Sequence, residues 1–146
     1  CEDKFKKSDI AIFSAAVCDF KPTQVSKKKI KTKSLSIKTQ KNVDVLKTLS
    51  ESKKDQFIVG FALETCDENE NAIQKMKNKN MDLIVLNSLN NKDSCFGYDT
   101  NKIQIIDKKL NVLDYPLMTK KEVAVVIFDE ILLKQKSLSS FKNIVI

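Results

Sequence analysis

The side chains able to do chemistry here are lysines, carboxylates and thiols, because histidine and arginine are both absent. Without histidine, imidazole acid–base chemistry, Ser–His and Cys–His nucleophiles and most zinc sites fall away. All 26 basic residues are lysine. A phosphate would therefore be met by ammonium point charges and backbone N–H groups, not by planar bidentate forks. Three constellations stand out. Residues 27–33 (KKKIKTK) read either as a solvated loop or as a lid that delivers an ammonium to a phosphate. Asp19 sits where an apolar run gives way to a proline-containing loop. That position suits an Asx-turn, and equally a carboxylate that meets a ribose, a base amino group or Mg²⁺. Lys75 and Lys79 are spaced i,i+4 on one helix face, either a solvent face or two like charges that an anionic ligand would relieve.

The cysteines, Cys1, Cys18, Cys66 and Cys95, form no C-x-x-C pair, and a reducing cytoplasm is the simplest setting. Cys18 and Cys66 are expected to fill apolar sites. The chain has two glycines and no G-x-G-x-x-G or Walker motif, so it encodes no glycine-rich nucleotide loop of the usual kind.

The elements that must position these groups follow from hydrophobic patterning. Residues 9–17 (DIAIFSAAV), 57–62 (FIVGFA) and 83–86 (LIVL) are short apolar runs of the kind buried on both faces of a parallel sheet. Pro22 is expected to stop further ladder pairing after the first. Residues 35–39 alternate as a short strand. Residues 42–52 carry Val45, Leu46 and Leu49 at helical spacing. Thr65 and Glu68 have the spacing of a capping box, opening a helix to about Lys79 with Ala72, Ile73 and Met76 as its apolar stripe. Residues 88–101 read as a polar loop, and 102–107 with 110–114 as a hairpin. Thr119 and Glu122 form a second capping box, for a helix through about Lys134 with Val123, Val126, Ile127 and Ile131 inside. Residues 137–142 read as a polar tail, and 143–146 are too few to assign. The sum is an α/β sheet with flanking helices. In such sheets ligands gather beyond the carboxyl ends of the strands, which singles out residues 15–19, 61–64 and Asn87.

With 146 residues, 42% hydrophobic and 31% charged, the chain suits one domain with its own core. No apolar run approaches the roughly 20 residues that cross a bilayer, so no membrane is expected. The formal net charge of +7 raises the question of nucleic acid. Interspersed acids and few aromatics make compositional bias the better reading, so no nucleic-acid partner is expected. The chain opens without Met, which suggests a fragment.

Taken in order, the motifs resemble one family. SAAVCDFKP at residues 14–22, KIK at 29–31, NVDVL at 42–46, VGFALET at 59–65 and KNMDLIVLN at 79–87 resemble successive motifs of phosphopantothenate–cysteine ligases. FGYDTNKIQII and the TKKEVA helix start at 119–124 also fit. The resemblance runs from about Ser8 to Lys134. Cys18 replaces the usual Ala, Thr32 a Lys and Val43 a Pro.

The resemblance implies a Rossmann-like three-layer α/β fold with a mainly parallel sheet, spanning residues 1–146 as a single incomplete domain. The family's N-terminal strand, glycine-rich turn and helix would be missing. It implies ligation of 4′-phosphopantothenate to L-cysteine through an acyl-cytidylate made from CTP, with Mg²⁺, in coenzyme A synthesis. A homodimer is implied too, with FMN present only if a decarboxylase domain is fused upstream. By motif, Lys29 is the catalytic lysine of a flap. Phe13, Ser14, Ala15, Asp19, Lys29, Val43, Asp44, Val45, Leu46, Phe61, Lys75 and Lys79 are the nucleotide-binding positions, and metal ligands are not identified. Two readings compete with the ligase: a fragment that retains only nucleotide binding or dimerisation, and a basic nucleic-acid-binding module. The fragment expectation is that the chain alone does not turn over, and robust CMP release by it would refute this.

Overall fold

The computed structural model describes residues 1–90, 93–94, 97–135 and 144–145. In chain order the elements are α1 (Glu2–Phe5), β1 (Ile10–Phe13), β2 (Phe20–Pro22), β3 (Thr39–Lys41), α2 (Val45–Glu51), β4 (Phe57–Glu64) and α3 (Glu68–Asn78). They continue with β5 (Leu83–Ser88), β6 (Thr100–Asn101), β7 (Ile103–Asp107), β8 (Val112–Asp114), β9 (Met118–Thr119), α4 (Lys120–Gln135) and β10 (Ile144–Val145).

The main sheet has the order β10-β1-β4-β5-β7-β8. Strands β10, β1, β4 and β5 run parallel, while β7 and β8 add an antiparallel edge. Two small ribbons, β2-β3 and β6-β9, stand apart. Strand alternation explains the layers. Ile58, Ala62, Ile84, Leu86 and Ile106 join Leu49 of α2 and Ala72 and Met76 of α3 in one core. Val59, Leu83, Val85, Ile103 and Ile105 join Val123, Ile127 and Ile131 of α4 in the other. Apart from Ala62 and Ala72, each of these side chains stabilises the fold by about 1.5–3 kcal/mol relative to exposure. The result is the three-layer, mainly parallel α/β fold expected.

Several local expectations shift. The first buried strand ends at Phe13, opposite Gly60, because residues 14–41 leave the sheet and are exposed throughout. Cys18 and Cys66 are therefore exposed, free thiols and not core fillers, and Cys95 lies outside the described residues. Pro22 does not stop the ribbon: it pairs with Thr39, and Thr23 N–H donates to the Lys38 carbonyl beyond it (3.0 Å). The strand expected at 35–39 forms at Thr39–Lys41. Leu35 and Ile37 are exposed, so their alternation buries nothing.

The Thr65 box does not form. Asp67, at φ 45°, is the residue before α3 and makes no side-chain cap. Glu68 instead accepts from Ser88 Oγ (2.5 Å) and Asn90 Nδ2 (2.9 Å). The Thr119 box does form: Glu122 accepts from Thr119 N–H (2.8 Å), and Thr119 Oγ1 accepts from Glu122 N–H (3.3 Å). The 102–114 hairpin forms as β7-β8. The 137–142 tail lies outside the described residues.

Candidate functional site

A cleft of about 960 Å³ opens between β1 and α2, within the range of roughly 300–1,000 Å³ typical of small-molecule sites. One wall runs along β1 and the residues that follow it, through Phe13, Ser14 and Ala15 to Asp19. The other is the entry to α2, with Val43, Asp44, Val45 and Leu46. Phe61 of β4 and Lys79, just past α3, complete it. Lys4, Lys41 and Lys47 also line it, so four ammoniums stand there with the carboxylates of Asp19 and Asp44.

Of the sequence-derived nucleotide positions, all but Lys29 and Lys75 meet in this cleft. Lys29 is exposed in the loop between β2 and β3 and does not line the cleft as it stands. Lys75 turns instead to Glu64 at the end of β4, with Nζ–Oε1 at 2.5 Å. Lys79 pairs with Asp44 at 2.9 Å. The repulsion expected between the two lysines is thus relieved by two acids from two different elements. Asn87 is half-buried at the end of β5 and does not line the cleft.

Asp44 caps α2, its Oδ1 accepting from Lys47 N–H at 3.0 Å. Burial pushes its pKa up, but the Lys47 N–H, the Lys79 hydrogen bond and the charges of both lysines outweigh this and hold it below the ordinary carboxylate range. Asp44 is therefore a fixed anion at neutral pH. A Cβ on Gly60, which pairs with Phe13 of β1, would sit 2.1 Å from Met81 Sδ and 3.2 Å from Leu46 Cδ1, so only glycine leaves both side chains in place.

Among the groups at the cleft that were not singled out from sequence are Lys4, Lys41 and Lys47, which gave no signal in so lysine-rich a chain. Asn42 is another. Its N–H donates to the Asp19 carbonyl (2.7 Å), its Nδ2 to the Cys18 carbonyl (3.1 Å), and its Oδ1 accepts from Val43 N–H (3.0 Å). Its place two residues before a helix-capping Asp was the available signal.

The family model of the DNA/pantothenate metabolism flavoprotein C-terminal domain matches residues 1–134. The chain belongs to this family. A cysteine/cysteine sulfinic acid decarboxylase from an unknown prokaryotic organism is 48% identical over 133 residues, covering 89% of this chain and 37% of that protein. The coenzyme A biosynthesis bifunctional protein CoaBC of Bacillus subtilis (strain 168) is 40% identical over 129 residues, covering 87% and 32%. The crystal structure of the C-terminal domain of a CoaBC protein superposes with a TM-score of 0.73 at 32% identity, covering 92% of this chain and 59% of that one. The chain thus spans about a third of the length of these curated relatives. Family and motif resemblance agree, and the family's fold is the one seen here.

Proposed function

We propose that this chain works as part of a phosphopantothenate–cysteine ligase, with the β1–α2 cleft as its CTP site. The supporting observation is the convergence of residues 13–15, Asp19, residues 43–46, Phe61 and Lys79 on one cleft, from segments far apart in sequence. The carboxylate of 4′-phosphopantothenate attacks the α-phosphorus of CTP and pyrophosphate leaves. The amine of L-cysteine then attacks the acyl carbon, CMP leaves with the former carboxylate oxygen, and the amine loses a proton. The first step joins two anions, so fixed positive charge and positioning dominate it.

Lys29 is the proposed catalytic residue. It lies in a stretch, residues 20–43, with eight lysines and no acid, so its ammonium meets no competing carboxylate within its own segment. Lys79, and Lys75 once released from Glu64, would contact phosphate. Phe61 offers an apolar face to the cytosine ring.

Mg²⁺ is typically held by one or two carboxylates together with substrate phosphates. Asp19, exposed at the cleft, fits that role, while Asp44 is engaged by Lys79. Among the described residues no three His, Cys, Asp or Glu side chains gather into a cage. FMN would belong to a fused decarboxylase portion. A homodimer is supported by the exposed apolar Val125, Leu132 and Leu133 of α4 and Val112 and Leu113 of β8. Among the described residues no helix is long and apolar enough to cross a membrane; a cytoplasmic setting is our reading.

Calorimetry with CTP, ATP and an oligonucleotide tests the site. Saturable binding that prefers CTP supports it, whereas salt-steep polyanion binding without that preference overturns it. Because the chain spans 59% of the solved domain, a second reading is nucleotide binding without turnover. CTP binding by the isolated chain with no CMP release would favour that reading.

A further inference from the structure

We infer that Asn42 is a positioning residue that sets the width of the nucleotide cleft and anchors the lysine-bearing ribbon to it. The inference rests on the CTP reading above. The two cleft walls are residues 14–19 and 43–46, and only the second packs against the core, through Val45 and Leu46. Residues 14–41 are exposed, and Asn42 is the first residue after them that is half-buried. Little packing holds the loop wall, so hydrogen bonds must.

Asn42 supplies them from both its main chain and its side chain. Its N–H closes the β2-β3 ribbon onto the Asp19 carbonyl (2.7 Å), one step beyond the Phe20–Lys41 pair. Its side-chain amide spans the cleft walls, donating from Nδ2 to the Cys18 carbonyl (3.1 Å) and accepting at Oδ1 from Val43 N–H (3.0 Å). The group must donate and accept at once, which a primary amide does and a carboxylate does not. Asp in this place would keep the Val43 bond but set an anionic oxygen against the Cys18 carbonyl. Asn42 therefore fixes the Cys18–Asp19 peptides, and through them the Asp19 carboxylate, relative to the capped start of α2. The ribbon that carries Lys29 leaves from the same knot.

The test uses the full polypeptide that carries this chain, with Asn42→Ala and the isosteric Asn42→Asp. Both should raise the KM for CTP about tenfold, the scale of one lost hydrogen bond. The KM values for phosphopantothenate and cysteine should stay within about twofold, and the thermal midpoint within a few degrees, as expected for a lost loop contact. Calorimetry should show the same loss of CTP affinity. A merely structural role would lower the folded fraction, reducing kcat and the thermal midpoint with CTP KM unchanged, and that result overturns the inference. CTP affinity equal to the parent's in Asn42→Asp also overturns it, and leaves the CTP reading intact. If the parent itself neither binds CTP nor releases CMP, the CTP reading falls and this inference falls with it.

Discussion

The β4–α3–β5 unit and the 14–41 excursion are made from the same lysine-rich composition and use it in opposite ways. In and around the first, three lysines are matched with acids: Lys53, just before β4, with Asp82 (2.5 Å), Lys75 with Glu64 (2.5 Å) and Lys79 with Asp44 of the α2 cap (2.9 Å). Asp82 also takes Lys108 (2.8 Å) and the Ile58 N–H (2.7 Å). In the second, Lys27, Lys28, Lys29, Lys31 and Lys33 are all exposed, and no Asp or Glu occurs between Phe20 and Val43. Charge in the sheet unit is spent on structure. On the proposed ligase reading, charge in the excursion is left for a substrate anion.

The largest effect should come from the excursion. Lys29→Gln should lower turnover by more than about a hundredfold, the scale of losing a charge aimed at the transition state. CTP affinity should stay within about threefold. Equal losses in both, measured by CMP release and calorimetry, would reduce Lys29 to a phosphate contact and weaken the comparison.

The converse test removes a matched acid. Asp82→Asn leaves the Lys53 side chain, 8% exposed, without its anionic partner. Burial already lowers the Lys53 pKa, opposed by Asp82. Urea unfolding should show a loss of roughly 2–4 kcal/mol, with CTP affinity retained. A large affinity loss at unchanged stability would contradict the division of labour drawn above.

A third test sharpens it by pH. Burial pushes Asp107 up, but hydrogen bonds from Lys134 and Asn111 and the charge of Lys134 outweigh it and bring its pKa from 3.8 to about 2. Since the folded value lies below the unfolded one, the stabilisation is complete above about pH 4 and disappears as pH falls through about 2. The amount is on the order of 1–2 kcal/mol. Asp107→Asn should flatten that part of the stability–pH curve, and an unchanged slope would show that the pairing contributes nothing.

The smallest effect is expected at Gly60 of β4, which sits against Leu46 of the cleft wall. Gly60→Ala should cost about 1 kcal/mol, because the Met81 thioether is flexible enough to move aside. The shift of Leu46 should weaken CTP binding slightly. A fully tolerated alanine would show that the close approach to Met81 is not needed.

The sheet was legible because its signals are local and redundant. Three apolar runs, a 102–114 hairpin and the Thr119–Glu122 box each state their conformation within a few residues. The Thr65–Glu68 box had the same spacing, but the Ser88–Asn90 turn, twenty residues on, captured the Glu68 carboxylate. No local rule contains that competitor. Likewise, 35–39 alternates as a strand should, but nothing packs on it, so the alternation places Leu35 and Ile37 in solvent.

The sequence by itself determined the α/β layering, the family through its ordered motifs, and the chemical vocabulary of lysine and carboxylate with no imidazole or guanidinium. Tertiary structure alone decided which lysines are matched, that Lys75 faces Glu64 while Lys79 reaches Asp44, and that Asn42 ties the two cleft walls. The reason is physical. Layering follows from periodic burial of apolar side chains along one segment. Pairing and cleft width depend on distances between segments eleven or more residues apart, which only the folded chain fixes.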